Sequence, residues 1–277
     1  MLSRVYESHF LKYKKDCIVS ISEHGSEDLR YAKSLLENPG LAVKITNVLG
    51  KSIEKGFGLL PENFNAVVNS ASKKALEVAL DAAMVTMDKK RQQTSWNISH
   101  KIAVAMSGGV GGFMGLPGLA IELPISTTIM LRSIIDIARS EGEMIADPHT
   151  KTACIEVFAL GGSSQSDDSS ETGYFAIRAV LSRSVAEAAE YIAEKGIVEE
   201  GAPIILRLIT KVAARFGVQV SEKIAAQAIP IVGAVGGAVI NTLFIDHFQD
   251  MARGHFIVRR LERIYGHDEV KKEYDRL

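Results

Sequence analysis

The sequence is poor in aromatic residues and poorer still in cysteine, and each shortage closes off a class of function. Aromatic side chains make up 6% of the 277 residues, with a single tryptophan, Trp96. An aromatic-lined pocket or a base-stacking surface is therefore not expected. The two cysteines, Cys17 and Cys154, form no CxxC pair, so neither a disulfide framework nor a cysteine zinc site is signalled. The seven histidines form no HxxxH or HExxH pattern, and there is no Gly-x-Ser-x-Gly elbow. No cofactor and no metal is expected. No polybasic tract is long enough to argue for nucleic acid. Met1 to Asp16 mixes polar, charged and apolar residues without the apolar run of a signal peptide, so a cytoplasmic location is expected.

What the chain has instead is aliphatic. Hydrophobic residues reach 47% and charged residues 23%, which excludes bulk disorder and favours tightly packed helices. No run alternates with the period of a strand. The net charge is −1, but residues 101–200 carry 7 basic against 14 acidic side chains, so the middle is acidic and both ends are mildly basic. The expected fold is all-α: a single multi-helix domain with two glycine-rich apolar segments packed centrally.

Punctuation along the chain sets the elements. Residues 1–40 read as an N-terminal arm or helix ending at the break Asn38-Pro39-Gly40, and residues 41–277 as the helical domain. Helices are expected from Leu41 to Lys55, from Pro61 to about Lys90, and from Gly118 to about Gly142 with a bend near Pro124. Another starts at Asp147-Pro148 and runs through Leu160. Gly161 to Glu171 (GGSSQSDDSSE) reads as a flexible surface loop. Thr172 caps a helix to about Lys195, and Pro203 opens one ending near Gly217. A charged amphipathic helix is expected from Asp246 to Tyr265, with a short one after Gly266.

Two segments carry no charge at all: Ile102 to Ile121 and Ile224 to Ile245. Gly108 and Gly112 are spaced by four, as are Gly111 and Gly115, and Gly233 and Gly237. That spacing puts small residues on one helix face and lets another backbone approach closely. Three readings compete. The segments are buried core helices or glycine-rich turns; they contact a membrane, since twenty residues at about 1.5 Å each match the bilayer core; or SGGVGG cradles a phosphate, although it lacks a GKS/GKT end and a preceding strand. A straight membrane span is disfavoured by Pro117 and by an overall mean hydropathy of +0.10. Gly108, Gly112, Gly115, Gly233 and Gly237 are the candidate helix-packing or membrane face. Leucine at Gly112 or Gly237 is expected to do more damage than leucine at Gly162 in the loop.

After the first segment a narrow polar stripe runs along a very apolar helix. With Glu122 at zero, Ser126, Ser133, Asp136 and Ser140 fall within about 40° of it and Arg132 within about 80°. Glu122, Arg132 and Asp136 are the candidate functional polar residues. They read as a solvated face, as a buried Arg132–Asp136 pair at i,i+4, or as a paired-carboxylate site of Glu122 and Asp136 suited to acid–base work or a cation.

The run GGVGGFMGLPGLAIELPISTTIMLRSIIDIA (Gly108 to Ala138), Glu141-Gly142, Asp147-Pro148, and later Asn241, Phe244, Ala252, Phe256, Arg259-Arg260-Leu261 and Tyr265-Gly266 resemble the EcsC family over about residues 65–275. The Ser/Asp loop near 163–171 reads as an insertion relative to that pattern. The resemblance implies a bacterial protein working near membranes or secretion, since the founding name comes from an operon that also encodes an ABC transporter. It supplies no catalytic residues. The expected function is a non-enzymatic, membrane- or lipid-associated accessory protein linked to transport or secretion, at the inner face of the membrane. Its partners would be membrane lipid or a membrane protein complex. The alternatives are an enzyme using buried carboxylates in a helical cavity, or a soluble self-associating scaffold.

Overall fold

The computed structural model describes residues 20–37, 40–50, 53–87, 115–162, 173–195, 201–229 and 233–277. These form ten α-helices and, among the described residues, no strand: α1 (Glu23–Leu36), α2 (Leu41–Leu49), α3 (Glu54–Phe57), α4 (Phe64–Met87), α5 (Gly115–Ser140), α6 (Pro148–Glu156), α7 (Tyr174–Lys195), α8 (Pro203–Gln227), α9 (Gly233–Tyr265) and α10 (His267–Arg276). A 3-10 turn, Val157–Ala159, extends α6.

The centre is α6 and its turn. Every residue from Thr150 to Leu160 is buried, and a helix covered on all sides needs no apolar stripe. Asp147 starts it by accepting the amide of His149 at 3.0 Å, and Pro148 fills the first turn, where its missing N–H costs nothing. Around α6 lie α5, α7, α8 and α9, with α4 against α5 and α8. The described element at the middle is thus α6. Residues 102–114, with Gly108 and Gly112, lie outside the described residues.

Several boundaries differ from the sequence expectation. Within the stretch read as an arm or helix, residues 23–36 form a helix that packs on α9 and α10 and contributes Leu29, Ala32 and Leu36 to the core. α5 runs through Pro124, as expected, but starts at Gly115 rather than Gly118. Gly217 does not end α8, because α4 covers it: a β-carbon there meets Asn69 Oδ1 at 3.0 Å. The second charge-free segment is not one helix. Ile224 to Gln227 close α8, and α9 begins at Gly233, thirteen residues before the charged stretch. Gly161 and Gly162, assigned to the flexible loop, form a half-buried turn on Gln219, His247 and Met251. The remainder of that loop, 163–172, lies outside the described residues.

Among the described glycines, close backbone approaches occur at Gly254 and Gly56. At Gly254 of α9 a β-carbon would stand 2.6 Å from Leu36 Cγ and 3.0 Å from the Ala32 carbonyl, so α1 crosses α9 there. At Gly56 it would collide with the Ala225 carbonyl, so only glycine lets α3 lie on the end of α8.

Candidate functional site

The charged residues that bound the two charge-free segments meet. Glu122, which ends the first, accepts from Lys223, which precedes the second, at 2.6 Å. The Lys223 side chain is only 3% exposed and that of Glu122 28%. The Lys223 ammonium also lies 5.0 Å from the centre of the Phe244 ring of α9. One contact therefore ties the start of α5, the end of α8 and the first half of α9 together.

Two further contacts fix how α5 and α9 lie. Gln249 donates to Ser133 at 2.9 Å, and Arg260 to Glu141, just past α5, at 2.7 Å. The pairings advance together along both helices, so α5 and α9 run side by side in the same direction, and their glycine-rich starts lie at one pole. Gly115 and Gly233 are the first residues of the two helices. Gly237 is half-buried, and no described residue lies within 4 Å of a β-carbon placed there. Ile121 is 65% exposed and Val239 37%, while Ile125 and Ile129 are half-buried.

The three residues of the polar stripe do not share a site. Glu122 and Asp136 are fourteen residues apart on one helix, about 21 Å at 1.5 Å per residue. Asp136 is 71% exposed and takes Arg139, not Arg132, as its partner at 2.8 Å. Arg132 is half-buried on the same helix. The paired carboxylates expected for acid–base work are therefore not assembled. Among the described residues no group of three His, Cys, Asp or Glu is placed to hold a metal ion.

The opposite end of α5 and α9 is densely charged. Buried Glu143 receives Arg259 at 2.8 Å, Thr150 at 2.9 Å and also Arg263. Burial works against its carboxylate, but Arg259, Thr150 and Arg263 outweigh that and hold its pKa below the ordinary value. Arg260 bridges Glu141 and Asp28, clamping α1 to the α5–α6 corner. Arg178 grips Glu262 with two hydrogen bonds, at 2.8 and 3.0 Å. Deeper in, Tyr174 Oη lies 3.0 Å from His255 Nδ1, and His255 Nε2 lies 3.9 Å from Glu156. Burial pushes the Glu156 carboxyl up to about 7, against the pull of Arg178 and Arg259. Burial, with Arg178 and Arg259 nearby, holds His255 well below its ordinary value. Sequence patterning missed this network because its members come from four helices. Its only trace was the set of short pieces Glu141-Gly142, Asp147-Pro148 and Arg259-Arg260-Leu261.

The described residues contain one helix long and apolar enough to cross a membrane, Gly118–Ser140 within α5, and 44% of its most apolar window is buried. The second charge-free segment, expected to be its equal, is divided between α8 and α9 and does not form another.

The model of the EcsC protein family, a bacterial family, matches residues 30–261. This chain belongs to the EcsC family. Comparison with curated proteins and with solved structures finds no match. Family membership and the apolar helix α5 fit an accessory role linked to the membrane.

Proposed function

We propose that this protein is a non-enzymatic accessory protein that associates with the membrane from its cytoplasmic side, in the service of transport or secretion. The observation that carries the reading is the coverage of α5. In a helix of bilayer-matching length and apolarity, 44% of the residues of the most apolar window are buried by protein, while Ile121 is exposed and Ile125 and Ile129 are half-buried. A core helix of that composition would be covered on every side, as α6 is. The cytoplasmic side is supported by the cysteine pattern: two thiols without a paired motif, of which Cys154 is buried and free.

Fractionation of native cells tests the proposal. The expected result is recovery with the membranes, retained in part after a carbonate wash. Full recovery in the soluble fraction before any wash would leave the soluble scaffold as the better reading.

A further inference from the structure

The membrane-facing part of the molecule can be located. Resting on the reading above, we propose that one pole, made of the first half of α5, the last turn of α8 and the first three turns of α9, inserts end-on into the apolar layer of a lipid bilayer.

Charge is the first argument. Glu122, Glu222 and Lys223 are the only charged residues of these three stretches among those described; Glu222 and Lys223 are buried, and Glu122, 28% exposed, is paired with Lys223. Lys223 is buried against Glu122. Glu222 is buried and accepts the Ala42 amide, and burial pushes its carboxyl up to about 7.

The uncharged polar groups make the second argument. Ser126 donates to the Leu123 carbonyl at 3.1 Å and Thr128 to the Pro124 carbonyl at 2.8 Å. Gln227 donates to Asn241 at 3.4 Å, closing the α8–α9 corner on itself. In hydrocarbon every polar group must be satisfied from within; these three side chains donate inside the protein, and the Thr127 hydroxyl, which has no partner among the described residues, is buried within the fold rather than on its surface. A protein partner calls for the reverse, since typical interfaces exchange about ten hydrogen bonds and are ringed by polar residues.

Exposed apolar surface makes the third. Ile121 and Val239 stand out at the pole. Phe57 and Leu59 are exposed beside Gly56, which rests on Ala225 in the closing turns of α8, but Glu54, Lys55 and Glu62 are exposed with them, so α3 marks the charged rim of the pole and not its inserted face. The charges that would resist insertion, Glu141, Glu143, Arg259, Arg260 and Arg263, gather at the far end.

The test uses the full-length chain with Cys17→Ser and a single environment-sensitive fluorophore on Ile121→Cys, Val239→Cys or, at the charged end, exposed Met144→Cys; Cys154 is buried and stays unlabelled. Vesicles contain equal parts phosphatidylcholine and phosphatidylglycerol, with and without bromine on the acyl chains. The expected result is a blue shift and bromine quenching at 121 and 239 and neither at 144. Co-flotation with vesicles but no quenching at 121 and 239, or equal quenching at 144, overturns the placement and leaves membrane association standing. Absence of co-flotation overturns both. A blue shift without vesicles, accompanied by a dimeric mass in light scattering, assigns the pole to self-association instead.

Discussion

A lysine buried to 3% exposure is tolerable only if its charge is answered, and Lys223 has two answers, the Glu122 carboxylate and the Phe244 ring. Removing one partner of such a pair strands the other charge. Glu122→Gln should therefore cost about 3–5 kcal/mol in denaturant unfolding. The double variant Glu122→Leu, Lys223→Met should recover most of that loss, because neither charge remains to be desolvated. A Glu122→Gln protein as stable as the parent would mean that Lys223 reaches water. A second residue-scale prediction concerns protons. Between about pH 4.5 and 6.5 the unfolded chain gains protons at His247, held down to about 3 by burial and by Lys44, and at His255. The folded protein keeps protons at Glu156 and Glu222, both raised to about 7 by burial. Two groups on each side oppose each other, so stability changes little across that window. Glu156→Gln removes one proton from the folded side. Stability then rises with pH over the same range, because the unfolded state binds more protons than the folded one. Chemical denaturation at several pH values checks this; parallel curves for parent and variant would count against it.

At the scale of elements, helix contacts predict where glycine matters. Gly254→Ala should destabilise by about 1–3 kcal/mol, since its methyl group meets Leu36 and the Ala32 carbonyl. Gly237→Ala should stabilise by about 0.8–1 kcal/mol, the gain in helix propensity with no described neighbour to strike. Thermal melts of the two variants should shift in opposite directions. This redraws the comparison drawn from spacing alone. Gly162, the supposedly indifferent control, has its β-carbon position 3.2 Å from Gln219 Nε2. The sequence made several helices readable because each carries its own start signal: Asp147-Pro148 for α6 and Pro203 for α8. It misplaced the end of α8 at Gly217 and set the start of the last long helix at Asp246 rather than Gly233. At Gly217 local propensity argued for a stop, and packing against α4 overruled it; Asp246 marks only where charge returns, and the helix runs through it without a break. The Gly56 and Gly254 crossings were invisible for a related reason: a single glycine has no spacing pattern, and its partners lie far away in sequence.

For the whole molecule, the feature to explain is its polarity. Charge-free ends of α5, α8 and α9 gather at one pole, and a network of arginines and carboxylates closes the other. Half of this was legible in the chain, since the two uncharged segments and the polar residue Glu122 stood out without a structure. The other half was not. Nothing in sequence says that Glu122 faces Lys223, 101 residues away, rather than Asp136 on its own helix. Nor could it say that α5 and α9 run parallel. The central claim is that this pole enters lipid, and flotation of purified protein with phosphatidylglycerol-containing vesicles tests it most directly when the parent is run beside the double variant Ile121→Asp, Val239→Asp. Both positions are exposed in the described fold, so the variant should melt at the parent's temperature. Burying each aliphatic side chain in lipid contributes about 1.5–3 kcal/mol, so losing both should weaken partitioning more than tenfold, about 1.4 kcal/mol per decade. The account predicts that the parent floats and the variant stays at the bottom of the gradient, equally folded. A variant that floats as well as the parent would contradict it.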